Sequence, residues 1–102
     1  MEFKDSIVVV TGGTRGIGRA ISLHFARQGA LVTAAYRADD EAARALEAEA
    51  AGLPGSIAVI RADVGTAEGA MAVIDAASGE SGTLHVLVNN AGIIRDGYLA
   101  MM

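Results

Sequence analysis

Four apolar runs punctuate the chain, at Ile7–Val10, Leu31–Tyr36, Ile57–Ala62 and Leu84–Val88. The first is continuous rather than alternating, the pattern of a strand covered on both faces. The stretches between them have helical periodicity. Over Gly16–Gln28, Ile17, Ala20, Ile21 and Phe25 recur at helical spacing, and Gly29 supplies a C-terminal stop. Asp39 and Asp40 open an alanine-rich helix running to about Ala51, with Glu41, Glu47 and Glu49 on its wet side. Thr66 can cap a third helix to about Ala77, inside which Gly69 costs roughly 1 kcal/mol relative to alanine. Gly52-Leu53-Pro54-Gly55 reads as a turn, residues 78–82 as a loop, and Ile93–Met102 as a loop or the start of another helix.

Strands alternating with helices define parallel β-α-β units. Their crossovers are right-handed in nearly all cases. The expected fold is therefore a Rossmann-like, doubly wound α/β sheet with strand order 3-2-1-4. Helices one and two cover one face, and helix three covers the other. The chain reverses direction between strands one and four, and such switch points bind ligands at the strand C-terminal ends. With no linker or repeat, residues 1–102 read as the N-terminal part of a single dinucleotide-binding domain.

Composition narrows the picture. Hydrophobic residues make up 52% and aromatics only 4%, so the core must come from Val, Ile and Leu strands against alanine-rich helices. The net charge is −4 and the basic residues are scattered, which argues against a nucleic-acid binder. Without cysteine there is no disulfide framework, thiolate nucleophile or Cys-based zinc site. No apolar run reaches the ~18 residues of a membrane span. The polar start Met1–Asp5 does not resemble a secretory signal. A cytoplasmic protein is expected.

The candidate chemistry begins at Thr11-Gly12-Gly13-Thr14-Arg15-Gly16-Ile17-Gly18, directly after the first strand. Gly12 lets the chain leave the strand in a conformation closed to other residues. Gly16 and Gly18 let backbone approach a pyrophosphate and let the helix pack close to the sheet. The helix N-terminus then favours the anion. A purely structural turn is the alternative, while a Walker loop is excluded because no Gly-Lys-Ser/Thr follows. At the end of strand two, where an NAD-selective fold places an acid, stand Tyr36-Arg37. A guanidinium can grip a 2′-phosphate that a carboxylate would repel, and Arg15 can reach the same region. Either arginine alone could be an ordinary surface residue; together they favour NADP(H) over NAD(H). Asp63-Val64 after strand three can bind an adenine, or Asp63 can simply cap a turn. Asn89-Asn90 at the end of strand four are costly to bury unless satisfied; they can brace the central strand and position the cofactor, with a polar loop as the alternative.

These segments, in this order and spacing, resemble the short-chain dehydrogenase/reductase family. Residues 14–21 and 90–97 are similar to 3-oxoacyl-acyl-carrier-protein and acetoacetyl-CoA reductases. The resemblance implies a cofactor site of Gly12, Thr14, Arg15, Gly16, Ile17, Gly18, Arg37, Asp63, Val64, Asn90, Ala91, Gly92 and Ile93, with NADP(H) as cofactor. It also implies a 3-ketoacyl thioester substrate, a place in fatty acid biosynthesis, and a homo-oligomer or complementing chain as partner. His85 departs from the aspartate usual in such reductases and reads as a strand-end substitution. His24 reads as packing or surface. The family's chemistry needs a serine, and a tyrosine and lysine four residues apart. Tyr36 and Tyr98 are followed at that spacing by Asp40 and Met102, and the single lysine is Lys4. No catalytic residue or metal site is therefore assigned. The chain reads as the cofactor-binding half of a longer or complemented reductase, inactive alone. A non-catalytic nucleotide-binding module or a truncated interaction fragment is the alternative. The unpaired apolar edge expected at strand four would make such a segment poorly soluble by itself, or dependent on a partner.

Overall fold

A computed structural model describes residues 3–90. The elements follow in the order β1 (Ile7–Thr11), α1 (Gly16–Arg27), β2 (Leu31–Tyr36), α2 (Asp40–Ala50), β3 (Ser56–Arg61), α3 (Ala67–Ser78) and β4 (Val86–Asn89). A short 3-10 turn at Gly79–Ser81 links the last two. All strand pairs are parallel, in the order β3-β2-β1-β4. This is the Rossmann-like arrangement expected from the alternation. The expected helix or loop over residues 93–102 lies outside the described residues.

The two faces of the sheet are read directly along β1. Val8 and Val10 point to one side, where they join Val32, Ala34 and Ile57 beneath Leu23 and Ala26 of α1 and Leu46 and Ala50 of α2. Val9 points to the other side and meets Ala35 and Val73 of α3. The three valines of β1 are fully buried, each contributing on the order of 1.5–3 kcal/mol. They explain why this run lacks alternation.

Helix α1 departs from its expected face. Ile17 is 73% exposed and Ala20 is also exposed, whereas Gly18, Ser22, Leu23 and Ala26 are buried. Ile21 and Phe25 flank the core only partly buried. The closest stripe is small residues four apart, because a helix lying over a glycine turn needs close approach more than bulk. Phe25 instead meets Phe3 edge to face, with ring centroids 4.9 Å apart.

The other helices are capped as their sequences suggest. The Asp39 carboxylate accepts from the Ala42 N–H at 3.0 Å, and the Thr66 hydroxyl from the Gly69 N–H at 3.0 Å. Gly69, expected to weaken α3, proves to be required there. A Cβ at that position would collide with the Asp63 carbonyl oxygen. Strand β4 begins later than expected. His85 precedes it, donating its backbone N–H to the Ile7 carbonyl at 2.9 Å. In return the His85 ring Nδ1 accepts from the Ile7 N–H at 2.9 Å. The histidine thus supplies the acceptor that the first residue of β1 would otherwise lack.

Candidate dinucleotide site

At the C-terminal end of the sheet an open cleft of about 680 Å³ runs across the switch point. The glycine turn forms one wall with Gly12, Thr14, Arg15 and Gly16. The end of β2 forms another with Ala35, Tyr36 and Arg37, continuing through Ala38 to Asp39. Ala62, Val64 and Asn90 complete the lining.

Local backbone explains the turn. Gly12 has φ 65° and Gly16 φ 53°, the left-handed region that side chains with a Cβ rarely enter. A Cβ at Gly16 would meet nothing within 4 Å, so conformation and not crowding selects glycine there. Gly18 is the opposite case. It packs so closely that a Cβ would collide with the Gly12 carbonyl oxygen and lie 2.9 Å from Asn90 Nδ2. The buried Ser22 hydroxyl ties both ends of the loop. It lies 3.0 Å from the Gly13 carbonyl and 2.9 Å from the Gly18 carbonyl.

The electrostatics of the cleft favour an anion. The first turn of any α-helix leaves backbone N–H groups without internal partners. In α2 and α3 a side chain accepts from one of them. In α1 the N-cap residue is Arg15, no side chain caps the turn, and no acid lies in the first turn. The positive end of α1 is therefore left for a group in the cleft. Thr14 is 3% exposed and belongs to the same wall.

The double asparagine closes the site from the far side. Asn90 Nδ2 donates to the Gly12 carbonyl at 3.3 Å. The Thr11 hydroxyl donates to Asn89 Oδ1 at 3.1 Å. Each amide thus ties the end of β4 to the end of β1 or to the glycine turn, the brace expected from its cost of burial.

On the β2 side, Arg37 lines the cleft, and its guanidinium has no hydrogen bond or ion pair among the described residues. Arg15 reaches across to Asp39, with Nη1 and Oδ2 3.7 Å apart. Beneath Arg37 the Tyr36 hydroxyl donates to Asp40 Oδ1 at 2.7 Å. That hydrogen bond holds the phenol above its ordinary pKa, with desolvation and the Asp40 charge adding to the effect. A tyrosine serving as proton donor to a carbonyl needs the opposite shift.

Of the expected site residues, Gly12, Thr14, Arg15, Gly16, Arg37, Val64 and Asn90 come together on the cleft. Gly18 supports it from behind. Ile17 is exposed beside the turn rather than on its wall. Asp63 lies in a neighbouring opening of about 450 Å³, with Arg37, Arg61 and Ala62. One of its carboxylate oxygens accepts from the Gly65 N–H at 2.9 Å, the turn-capping geometry that stood as its alternative. Ala91, Gly92 and Ile93 lie outside the described residues. Sequence reasoning missed Ser22 and Asp39. Ser22 carried no signal beyond its spacing from Gly18, whereas Asp39 was legible as a helix opener but not as a cleft residue. Among the described residues no group of three or more His, Cys, Asp or Glu could hold a metal ion, and no helix is long and apolar enough to cross a membrane.

Comparison with known proteins agrees with this geometry. The family model described as short chain dehydrogenase matches residues 6–102, and the chain belongs to that family. It is 40% identical over 96 residues to an acetoacetyl-CoA reductase of Shinella zoogloeoides, covering 94% of this chain and 38% of the relative. It is 40% identical over 94 residues to a 3-oxoacyl-[acyl-carrier-protein] reductase of Staphylococcus aureus, covering 92% and 38%. A solved short chain dehydrogenase from Burkholderia cenocepacia J2315, in complex with NADP, superposes with a TM-score of 0.83 at 36% identity. That match covers 93% of this chain and 39% of the other. The chain thus spans under two-fifths of the length of these relatives.

Proposed function

We propose that residues 1–102 are the NADP(H)-binding half of a reductase that converts a 3-ketoacyl thioester to the 3-hydroxyacyl form. The observation that carries the cofactor reading is the pairing, on one cleft, of an α1 N-terminus without a side-chain cap and an Arg37 guanidinium without a partner among the described residues. The α1 end suits a pyrophosphate, and the Arg37 guanidinium suits a 2′-phosphate. Val64, with Asp63 beside it, would serve the adenine. Asn90, with Ala91, Gly92 and Ile93 following, would serve the ribose near the nicotinamide. When bound, the cofactor supplies the hydride. This chain's residues bind and orient it, while acid/base groups come from chain beyond residue 102 or from a companion polypeptide. The thioester substrate is supported by the names of the acetoacetyl-CoA and 3-oxoacyl-[acyl-carrier-protein] reductases; a place in fatty acid biosynthesis, a cytoplasmic location and an oligomeric or complementing partner belong to the same proposal.

The test uses the full-length polypeptide, with acetoacetyl-CoA as probe and loss of NADPH absorbance as readout. Turnover that requires NADPH is the expected result, with none from residues 1–102 alone. NADPH binding by the full-length protein without turnover of any ketone would favour a non-catalytic nucleotide-binding module. Absence of NADPH binding would overturn the proposal.

A further inference from the structure

The cleft explains why an arginine at position 37 is useful, but not what holds it there. Arg37 follows the last residue of β2, where the strand's pairing ends. Its guanidinium has no partner of its own among the described residues. Its backbone, however, is anchored from the neighbouring strand. Arg61, the last residue of β3, donates from Nε to the Arg37 carbonyl at 2.9 Å. The same guanidinium donates from Nη1 to Asp40 Oδ2 at 3.3 Å. The other Asp40 oxygen accepts from the Tyr36 hydroxyl at 2.7 Å. Residues 36, 37 and 40 of the β2–α2 corner are thus tied together through one side chain from β3.

We infer that Arg61 is a positioning residue for 2′-phosphate selectivity: its two-point grip on the Arg37 carbonyl and Asp40 holds the corner that presents Arg37 to the cleft. This inference rests on the NADP(H) reading of the cleft. The physical basis is preorganisation. A corner already fixed in the free protein loses less conformational freedom when the phosphate arrives, and that difference appears as affinity. The planar fork of arginine suits two acceptors at once, which a single ammonium on a flexible stem does not. Asp40 engages the Arg61 charge, so Arg61 acts through Arg37 and not as a second phosphate ligand.

The experiment measures dissociation constants for NADPH and NADH by fluorescence titration of the full-length protein. Wild type is compared with Arg61→Lys, Tyr36→Phe and Arg37→Gln. Arg61→Lys conserves charge while removing the fork. It is expected to lower the NADPH-over-NADH preference by roughly fivefold, the worth of about one hydrogen bond, with NADH affinity little changed. Tyr36→Phe conserves charge, keeps the ring and removes one tie, so a smaller shift in the same direction is expected. It serves as the informative variant should Arg61→Lys fold poorly. A merely structural Arg61 would weaken both cofactors together or lower the melting temperature without moving their ratio. That result would overturn the inference, as would a wild-type ratio in both variants. If wild type shows no preference, or Arg37→Gln keeps it, the NADP(H) reading itself fails. If Arg37→Gln removes the preference while Arg61→Lys and Tyr36→Phe retain it, only the positioning role fails.

Discussion

The side-chain amide of Asn90 donates to the Gly12 carbonyl across 3.3 Å, joining the end of the fourth strand to the first glycine of the turn. These residues are far apart in sequence and meet only because β4 pairs with β1. Removing the amide in Asn90→Ala is expected to cost about 1 kcal/mol, and to weaken dinucleotide binding because the turn loses its tie. Asn90→Asp should cost more, since it sets a carboxylate against a carbonyl oxygen. Urea denaturation of the three proteins checks the order.

Gly18 is expected to tolerate no side chain. Gly18→Ala forces the α1 backbone away from Gly12 and should cost roughly 1–3 kcal/mol, as overpacking does. Ser22→Ala removes the hydroxyl between the Gly13 and Gly18 carbonyls and should cost about 1 kcal/mol. The melting temperatures should therefore rank wild type, Ser22→Ala, Gly18→Ala.

Much of this is legible in the residue pattern. The strand order follows from alternation and crossover hand, and the glycine turn, Arg37 and Asn89-Asn90 announce the cleft by residue type. What escaped is what distance alone decides. Ile17 and Ala20 look like core by hydrophobicity, yet α1 buries Gly18, Ser22 and Ala26. Close approach to a sheet leaves no trace in a hydropathy pattern. Gly69 looks like a defect until the Asp63 carbonyl is seen beside it. His85 looks like a loss of an aspartate. In the fold its ring nitrogen accepts from the Ile7 N–H, a contact that residue type alone does not announce.

Asp39 sits on the cleft wall, capping α2 and holding Arg15. Asparagine caps helices about as well as aspartate, and an exposed ion pair adds about 0–1 kcal/mol. Asp39→Asn should therefore leave stability nearly unchanged. It also removes a negative charge and releases Arg15, so NADPH binding should tighten by roughly threefold, with NADH binding moving less. Parallel titrations of the two cofactors check this.

Tyr36 gives a pH signature. Its phenol is held above the ordinary value of 10.0, first by the hydrogen bond to Asp40. A raised folded-state pKa means that the interaction stabilises the fold below the unfolded value, and that its contribution is lost as pH rises through the folded one. Ultraviolet titration in a Tyr98→Phe background should give a midpoint above 10.0, falling back in Asp40→Asn. The stability gap between wild type and Tyr36→Phe should close at alkaline pH. A midpoint at or below the ordinary value would contradict the geometry.

The most direct measurement is NADPH against NADH binding to the full-length wild type and to Arg37→Asp, followed by fluorescence. Wild type is expected to favour NADPH by about tenfold or more, the worth of charge-assisted hydrogen bonds to a phosphate. Arg37→Asp should abolish or reverse that preference while retaining NADH binding through the α1 N-terminus. Equal affinities in wild type, or a preference that survives the substitution, would contradict an NADP(H) site built on this cleft.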